Sequence, residues 1–201
     1  MPMAQHDEVT STASELGLIV HLDGARLFNA AIALGKPVDR LVRGVDSVYV
    51  DLTKGLACPM GSLLAGTTEF IEESRRRRRL VGGGMRQAGV VAACGLVALD
   101  QQVDRLSEDH ALARWMAERI GELPGWLVHP DEVETNIVNV DVATVGGAEE
   151  IAIRLRQEGV LVSQRPPDLI RLVTYLGIDR AMADQAVRAM ERVAQDRSVA
   201  P

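Results

Sequence analysis

The run Val48-Tyr49-Val50-Asp51-Leu52-Thr53-Lys54-Gly55-Leu56 constrains this chain more than any other stretch. Its β-branched and aromatic start predicts a short strand. That strand passes through a lysine and a glycine into the turn Ala57-Cys58-Pro59-Met60-Gly61. A buried ammonium is disfavoured, and a neutral amine can attack a carbonyl carbon to form a Schiff base. Lys54 is therefore a candidate nucleophile. The alternative is a surface lysine in a polar turn, the commoner fate of this residue type.

Upstream, Leu18-Ile19-Val20-His21-Leu22-Asp23 reads as a second strand, ending in Asp-Gly-Ala-Arg before a helical pattern over residues 25–34. Chemistry based on pyridoxal 5'-phosphate (PLP) needs a lysine and a group that sets the state of the pyridine nitrogen. Asp23 at the carboxyl end of a strand suits the second role. Open α/β sheets bind ligands outside those ends, which would bring Asp23 and Lys54 together. Asp23 could equally be a helix N-cap.

Three motifs carry a family resemblance: His21-Leu22-Asp23-Gly24-Ala25-Arg26-Leu27-Phe28-Asn29-Ala30, Thr53-Lys54-Gly55-Leu56 and Gly82-Gly83-Gly84-Met85-Arg86-Gln87. In order and spacing the chain resembles the low-specificity L-threonine aldolases, PLP-dependent enzymes of the aspartate aminotransferase fold (fold type I). The resemblance runs from about Leu16 to the final helix. It implies an α/β fold made of part of a fold type I enzyme, with a partial mixed sheet and a small α+β carboxy-terminal domain. It also implies cleavage of L-threonine and related β-hydroxy amino acids to glycine and an aldehyde, in a homodimer or homotetramer. Lys54 would carry the cofactor, Asp23 would keep its ring an electron sink, and Arg26 would contact the ring's phenolic oxygen. Arg86 would lie near the cofactor phosphate or substrate carboxylate, across a dimer interface.

The 201 residues are 47% hydrophobic and 25% charged, ordinary globular composition, and suffice for one substantial core or two small ones. A net charge of −6 argues against a general nucleic-acid binder. No apolar run reaches the length of a membrane span, and no signal-peptide pattern opens the sequence. Cys58 and Cys94 lie in apolar surroundings without metal-ligand spacing, as reduced thiols of a cytoplasmic protein would. A helix over Gln5–Leu16 closed by Gly17, the two strands above and a third at Ser62–Gly66 make an α/β alternation. Three strands form a thin sheet for this class.

Arg75-Arg76-Arg77-Arg78-Arg79, on a helix over Glu69–Leu80, reads as a solvated face paired with Glu69, Glu72 and Glu73 rather than a nucleic-acid patch. Gly82-Gly83-Gly84 is expected to open a long apolar helix from Met85 to Val103, either as an anion cradle with Arg86 or as an interdomain hinge. The division expected is a partial cofactor-binding domain over 1–84, then the interdomain helix and small domain over 85–201.

Beyond a helix at Leu106–Leu123, where His110 reads as a surface or capping residue, strands are expected at Ile137–Val142, Val160–Val162 and Leu169–Thr174. Helices are expected near Glu149–Glu158 and over Asp179–Ala194, the second with Asp179 as N-cap. Arg171 sits in an otherwise apolar strand, where an unpaired guanidinium is costly. Its planar fork matches a substrate carboxylate, the role the resemblance implies, or else it pairs with Asp141 or another carboxylate. Tyr175 stands where the family usually has histidine. The family's glycine-rich phosphate cradle and stacking histidine are not visible before Asp23. The expectation is a truncated product, a misplaced start or one half of a split enzyme.

Overall fold

In a computed structural model, which describes residues 1–196, the first helix, α1 (Met3–Glu15), stops where Gly17 takes a left-handed φ of +64°. The amides of Gly17 and Leu18 turn back to the carbonyls of Ser14 and Ala13, satisfying the helix end. Because the Leu18 amide is spent on that cap, strand β1 begins later than expected, at His21–Gly24. The described chain divides into two compact units, Met1–Leu106 and a second from Ser107 onward.

In the first unit, β1 pairs in parallel with β2 (Ser47–Asp51), with Asp23 opposite Tyr49. Strand β3 (Ser62–Gly66) pairs antiparallel on the other side of β2, giving the mixed order β1-β2-β3. Helices α2 (Leu27–Leu34) and α3 (Val38–Leu41) form the crossover between the parallel strands. Their Leu27, Ala31 and Leu41 pack with Leu22, Val48 and Val50 of the sheet. Side chains alternate along a strand, so Asp23, Tyr49 and Asp51 belong to the opposite face.

Helix α4 (Thr68–Leu80) is capped by the Thr67 hydroxyl, which accepts from the Phe70 amide. Its five arginines are solvent-exposed, and three form ion pairs along the helix: Arg75 with Glu72 at 2.6 Å, Arg77 with Glu73 at 2.8 Å, and Arg76 also with Glu73. The glycine triplet closes this helix instead of opening the next. Gly82 is left-handed, and the amides of Gly82 and Gly83 bond back to Arg79 and Arg78. Gln87, at φ +54°, interrupts helical geometry again, so α5 spans Gly89–Gln101 and not Met85–Val103. Helix α5 is apolar on every side yet buries only Gly95 and Ala98, leaving Val90, Leu96 and Val97 exposed.

In the second unit, three antiparallel strands in the order β4-β6-β5 are backed by α6 (Leu106–Ile120), α7 (Gly147–Gln157) and α8 (Arg180–Gln195). Val138 and Val140 of β4 (Ile137–Asp141) and Ile170 and Leu172 of β6 (Leu169–Val173) face that core. The Asp179 carboxylate caps α8 by accepting from the Met182 amide at 2.8 Å. The expected strand at Val160–Val162 is absent. The Val160 amide turns back to Leu155 at the end of α7, and the paired residues are Ser163–Arg165, which form β5.

Candidate active site

Asp51 closes β2 and organises the loop beyond it. One carboxylate oxygen accepts the Thr53 amide and hydroxyl, each at 2.7 Å. The other accepts Tyr49 Oη at 3.0 Å and Lys54 Nζ at 2.7 Å. The loop is anchored on both sides of the lysine: Leu52 and Leu56 are buried with Cys58, Ala98 and Leu106. A Cβ on Gly55 would meet the Leu106 side chain at 2.8 Å and Asn29 Oδ1 at 3.0 Å, so a larger residue after the lysine would require those side chains to shift. Lys54 is thus neither a buried strand residue nor a free surface lysine. It is half-buried, in a loop past the strand end, and ion-paired.

Burial alone would raise the Asp51 carboxyl, but hydrogen bonds from Lys54, Thr53 and Tyr49 outweigh it and hold the group well below the usual carboxylate range. A depressed folded-state value stabilises the fold above the ordinary titration range, and that contribution is lost as pH falls toward the depressed value. Asp51→Asn is expected to cost about 1–2 kcal/mol at pH 7, as lost charge-assisted hydrogen bonds partly screened by water. Denaturant unfolding of both proteins should show the gap shrinking between pH 5 and pH 3. An equal gap at every pH would contradict this.

Asp23, exposed at the carboxyl end of β1, is not an N-cap. Its carboxylate accepts the Ala25 amide at 3.1 Å, and the N-cap position of α2 belongs to Arg26. Arg26 Nε is buried and has no hydrogen-bond partner. Asp23 and Arg26 share the lining of a cavity of about 240 Å³ with His6 of α1, whose Nε2 is also buried and unpartnered. Nothing in the spacing of His6 from Asp23 signalled that meeting. β1 and β2 run parallel, so Asp23 and the Lys54 loop lie at the same end of adjacent strands. Arg86 lies in the exposed turn before α5.

Arg171 belongs to the second unit. It lies on the sheet face opposite the core, in register with Asn139 and Ser163, and its Nε donates to Asn139 Oδ1 at 3.3 Å. The apolar neighbours that made a guanidinium look costly point the other way, into the core. Thr174 after it is buried, donating its hydroxyl to the Asp109 carbonyl, while Tyr175 is exposed. Burial pushes the half-buried His110 imidazole below its usual range, against the nearby Asp109 carboxylate. Burial, with Cys94 close by, pushes the Cys58 thiol up. Among the described residues no group of three or more His, Cys, Asp and Glu could hold a metal ion, and no helix is long and apolar enough to cross a membrane.

The chain is similar to known proteins. The low-specificity L-threonine aldolase 1 of Arabidopsis thaliana is 41% identical over 171 residues, 84% of this chain and 48% of that protein. The low specificity L-threonine aldolase of Escherichia coli K12 is 38% identical over 180 residues, 90% of this chain and 52% of that protein. The chain thus spans about half the length of the curated relatives it matches. Its fold superposes on a threonine aldolase from Leishmania major with a TM-score of 0.74 at 16% identity, over 96% of this chain and 56% of that one. An alanine–glyoxylate aminotransferase from Nostoc superposes with a TM-score of 0.62 at 19% identity, over 92% of this chain and 56% of that one. Both establish the fold as that of the fold type I enzymes. The family model for beta-eliminating lyases matches residues 1–143, and the chain belongs to that family.

Proposed function

We propose that this chain carries the lysine-bearing part of a PLP-dependent aldolase that cleaves L-threonine and related β-hydroxy amino acids to glycine and an aldehyde. The observation that carries the reading is the placement of Asp23 and the Lys54 loop at one end of adjacent parallel strands, with Arg26 lining a cavity beside Asp23. The residues fit the group. A buried, unpartnered Arg26 Nε, an exposed carboxylate and a half-buried amine suit a phenolate, a ring N–H and an aldehyde respectively. PLP, when bound, supplies an electron sink for the bond being broken. Lys54 holds the cofactor by its amine, Asp23 accepts the ring N–H, and Arg26 donates to the phenolic oxygen. Arg86 serves the phosphate or the substrate carboxylate, and Arg171 clamps that carboxylate with its two-pronged donor. Residues 1–84 would supply the cofactor side, and 85–201 the connecting helix and the small domain. The protein would work in the cytoplasm as a homodimer or homotetramer.

Residues 1–22 contain one glycine, Gly17, and so no glycine-rich phosphate cradle. Phosphate anchoring and ring stacking fix the cofactor, and a displacement of about an ångström can cost roughly a hundredfold in rate. The purified 201-residue chain is therefore expected to form little glycine from L-threonine, even with excess PLP. Adding the separately expressed amino-terminal segment of a related aldolase should raise it. Turnover by the chain alone near that of a full-length aldolase would contradict this. The exposed Val90, Leu96 and Val97 of α5 and the exposed β3 favour a second reading, in which the chain acts only by associating with a partner. No rise in glycine on mixing, with co-elution on sizing, would support it.

The exposed arginines of α4 are not assigned to nucleic acid. Charge reversal at Arg76 and Arg78 should leave nucleic-acid affinity unchanged at physiological salt. A tight complex that weakens steeply with salt would overturn that.

A further inference from the structure

The chain has two lysines, and they stand in different states. Lys36, in the turn after α2, is exposed, whereas Lys54 donates to Asp51 at 2.7 Å with about a third of its side chain exposed. Asp51 itself is fixed: its side chain is 11% exposed, and Thr53 and Tyr49 supply three further hydrogen bonds to its two oxygens. Tyr49 and Asp51 share a sheet face by strand alternation, so the carboxylate is aimed before the loop begins. An ion-paired ammonium has no lone pair with which to attack a carbonyl. To react, it must leave the carboxylate and release a proton to solvent. The nitrogen then forms a bond to the aldehyde carbon, whose oxygen departs as water.

We propose that Asp51 is a latch on Lys54, a positioning residue that holds the amine in an unreactive ion pair until an incoming carbonyl compound competes for it. Its place in catalysis rests on Lys54 being the cofactor-bearing lysine, but the latch itself can be tested without that premise. Tyr49 and Thr53 keep the carboxylate in place once the amine has left, so the same group can receive the ammonium again when the lysine is released.

The test treats the whole chain with limiting formaldehyde and cyanoborohydride at pH 7 and compares methylation at Lys54 with that at Lys36 by peptide mass spectrometry. Asp51→Asn keeps the shape and the Thr53 bonds but removes the charge. The Lys54-to-Lys36 ratio is expected to rise about fivefold, a modest effect because the pair is partly screened by water. In Tyr49→Phe, which keeps the ion pair, it should stay within about twofold of wild type. Because Asp51→Asn could perturb the loop, wild type is also labelled in about 1 M salt, which screens the pair and should raise the ratio toward that of the variant. An unchanged or lower ratio in Asp51→Asn, no response to salt, or an equal rise in Tyr49→Phe would overturn the latch. A parallel arm with PLP and borohydride separates the two ideas. Equal marking of Lys36 and Lys54 by PLP would sink the proposed function, while the formaldehyde ratios would still decide the latch.

Discussion

Lys54→Ala is expected to abolish borohydride-stable attachment of PLP at this loop and leave the chain folded. The side chain contributes an amine and one ion pair, whereas the loop is held by Leu52, Leu56 and the Asp51 bonds to Thr53 and Tyr49. Breaking a partly exposed pair costs on the order of 1 kcal/mol, a minor share of the stability of a domain. Peptide mapping should show the label gone, and denaturant unfolding should show a small shift of midpoint. Undiminished attachment to the folded variant would remove Lys54 from its proposed role.

Ile170→Ala is expected to be the most damaging single change in the second unit. Ile170 is fully buried on the central strand β6, where it packs among the residues that α6, α7 and α8 contribute. Truncation removes three carbons and leaves a cavity that flanking strands β4 and β5 hinder from collapsing, at a cost of about 3–4 kcal/mol. Thermal unfolding followed by circular dichroism checks this. A loss below about 1 kcal/mol would mean that this core is not packed as described. Leu161→Ala, at a residue 76% exposed, serves as the tolerant control.

Much of this architecture was legible because local signals agreed with tertiary ones. Gly17 ends a helix, Asp179 starts one, and Ser62–Gly66 alternates with helices as a strand should. The misplaced elements share a cause, namely backbone donors spent where no side-chain pattern records it. The Leu18 and Val160 amides cap the preceding helices, so β1 starts late and the apolar Val160–Val162 run never joins a ladder. Gly82 and Gly83 likewise close α4, which a run of three glycines cannot announce. Strand composition alone does not record that the alternating pleat sends Ile170 and Leu172 to the core and the Arg171 guanidinium to the open face. At the site, the sequence singled out Asp23 and Lys54 near strand ends, and β1 and β2 do run parallel so that both lie at one end of the sheet. Asp51 was hidden because it read as one polar letter in an apolar strand. Only the fold back of Thr53 and Lys54 onto its carboxylate makes it part of the site.

The central claim is that Lys54 is the residue this fold reserves for a carbonyl cofactor. The direct measurement incubates the unaltered chain with stoichiometric PLP, reduces with borohydride and maps the attachment, with exposed Lys36 as the built-in competitor. The expected result is a label concentrated on Lys54. A label shared evenly with Lys36, or favouring it, would contradict the claim.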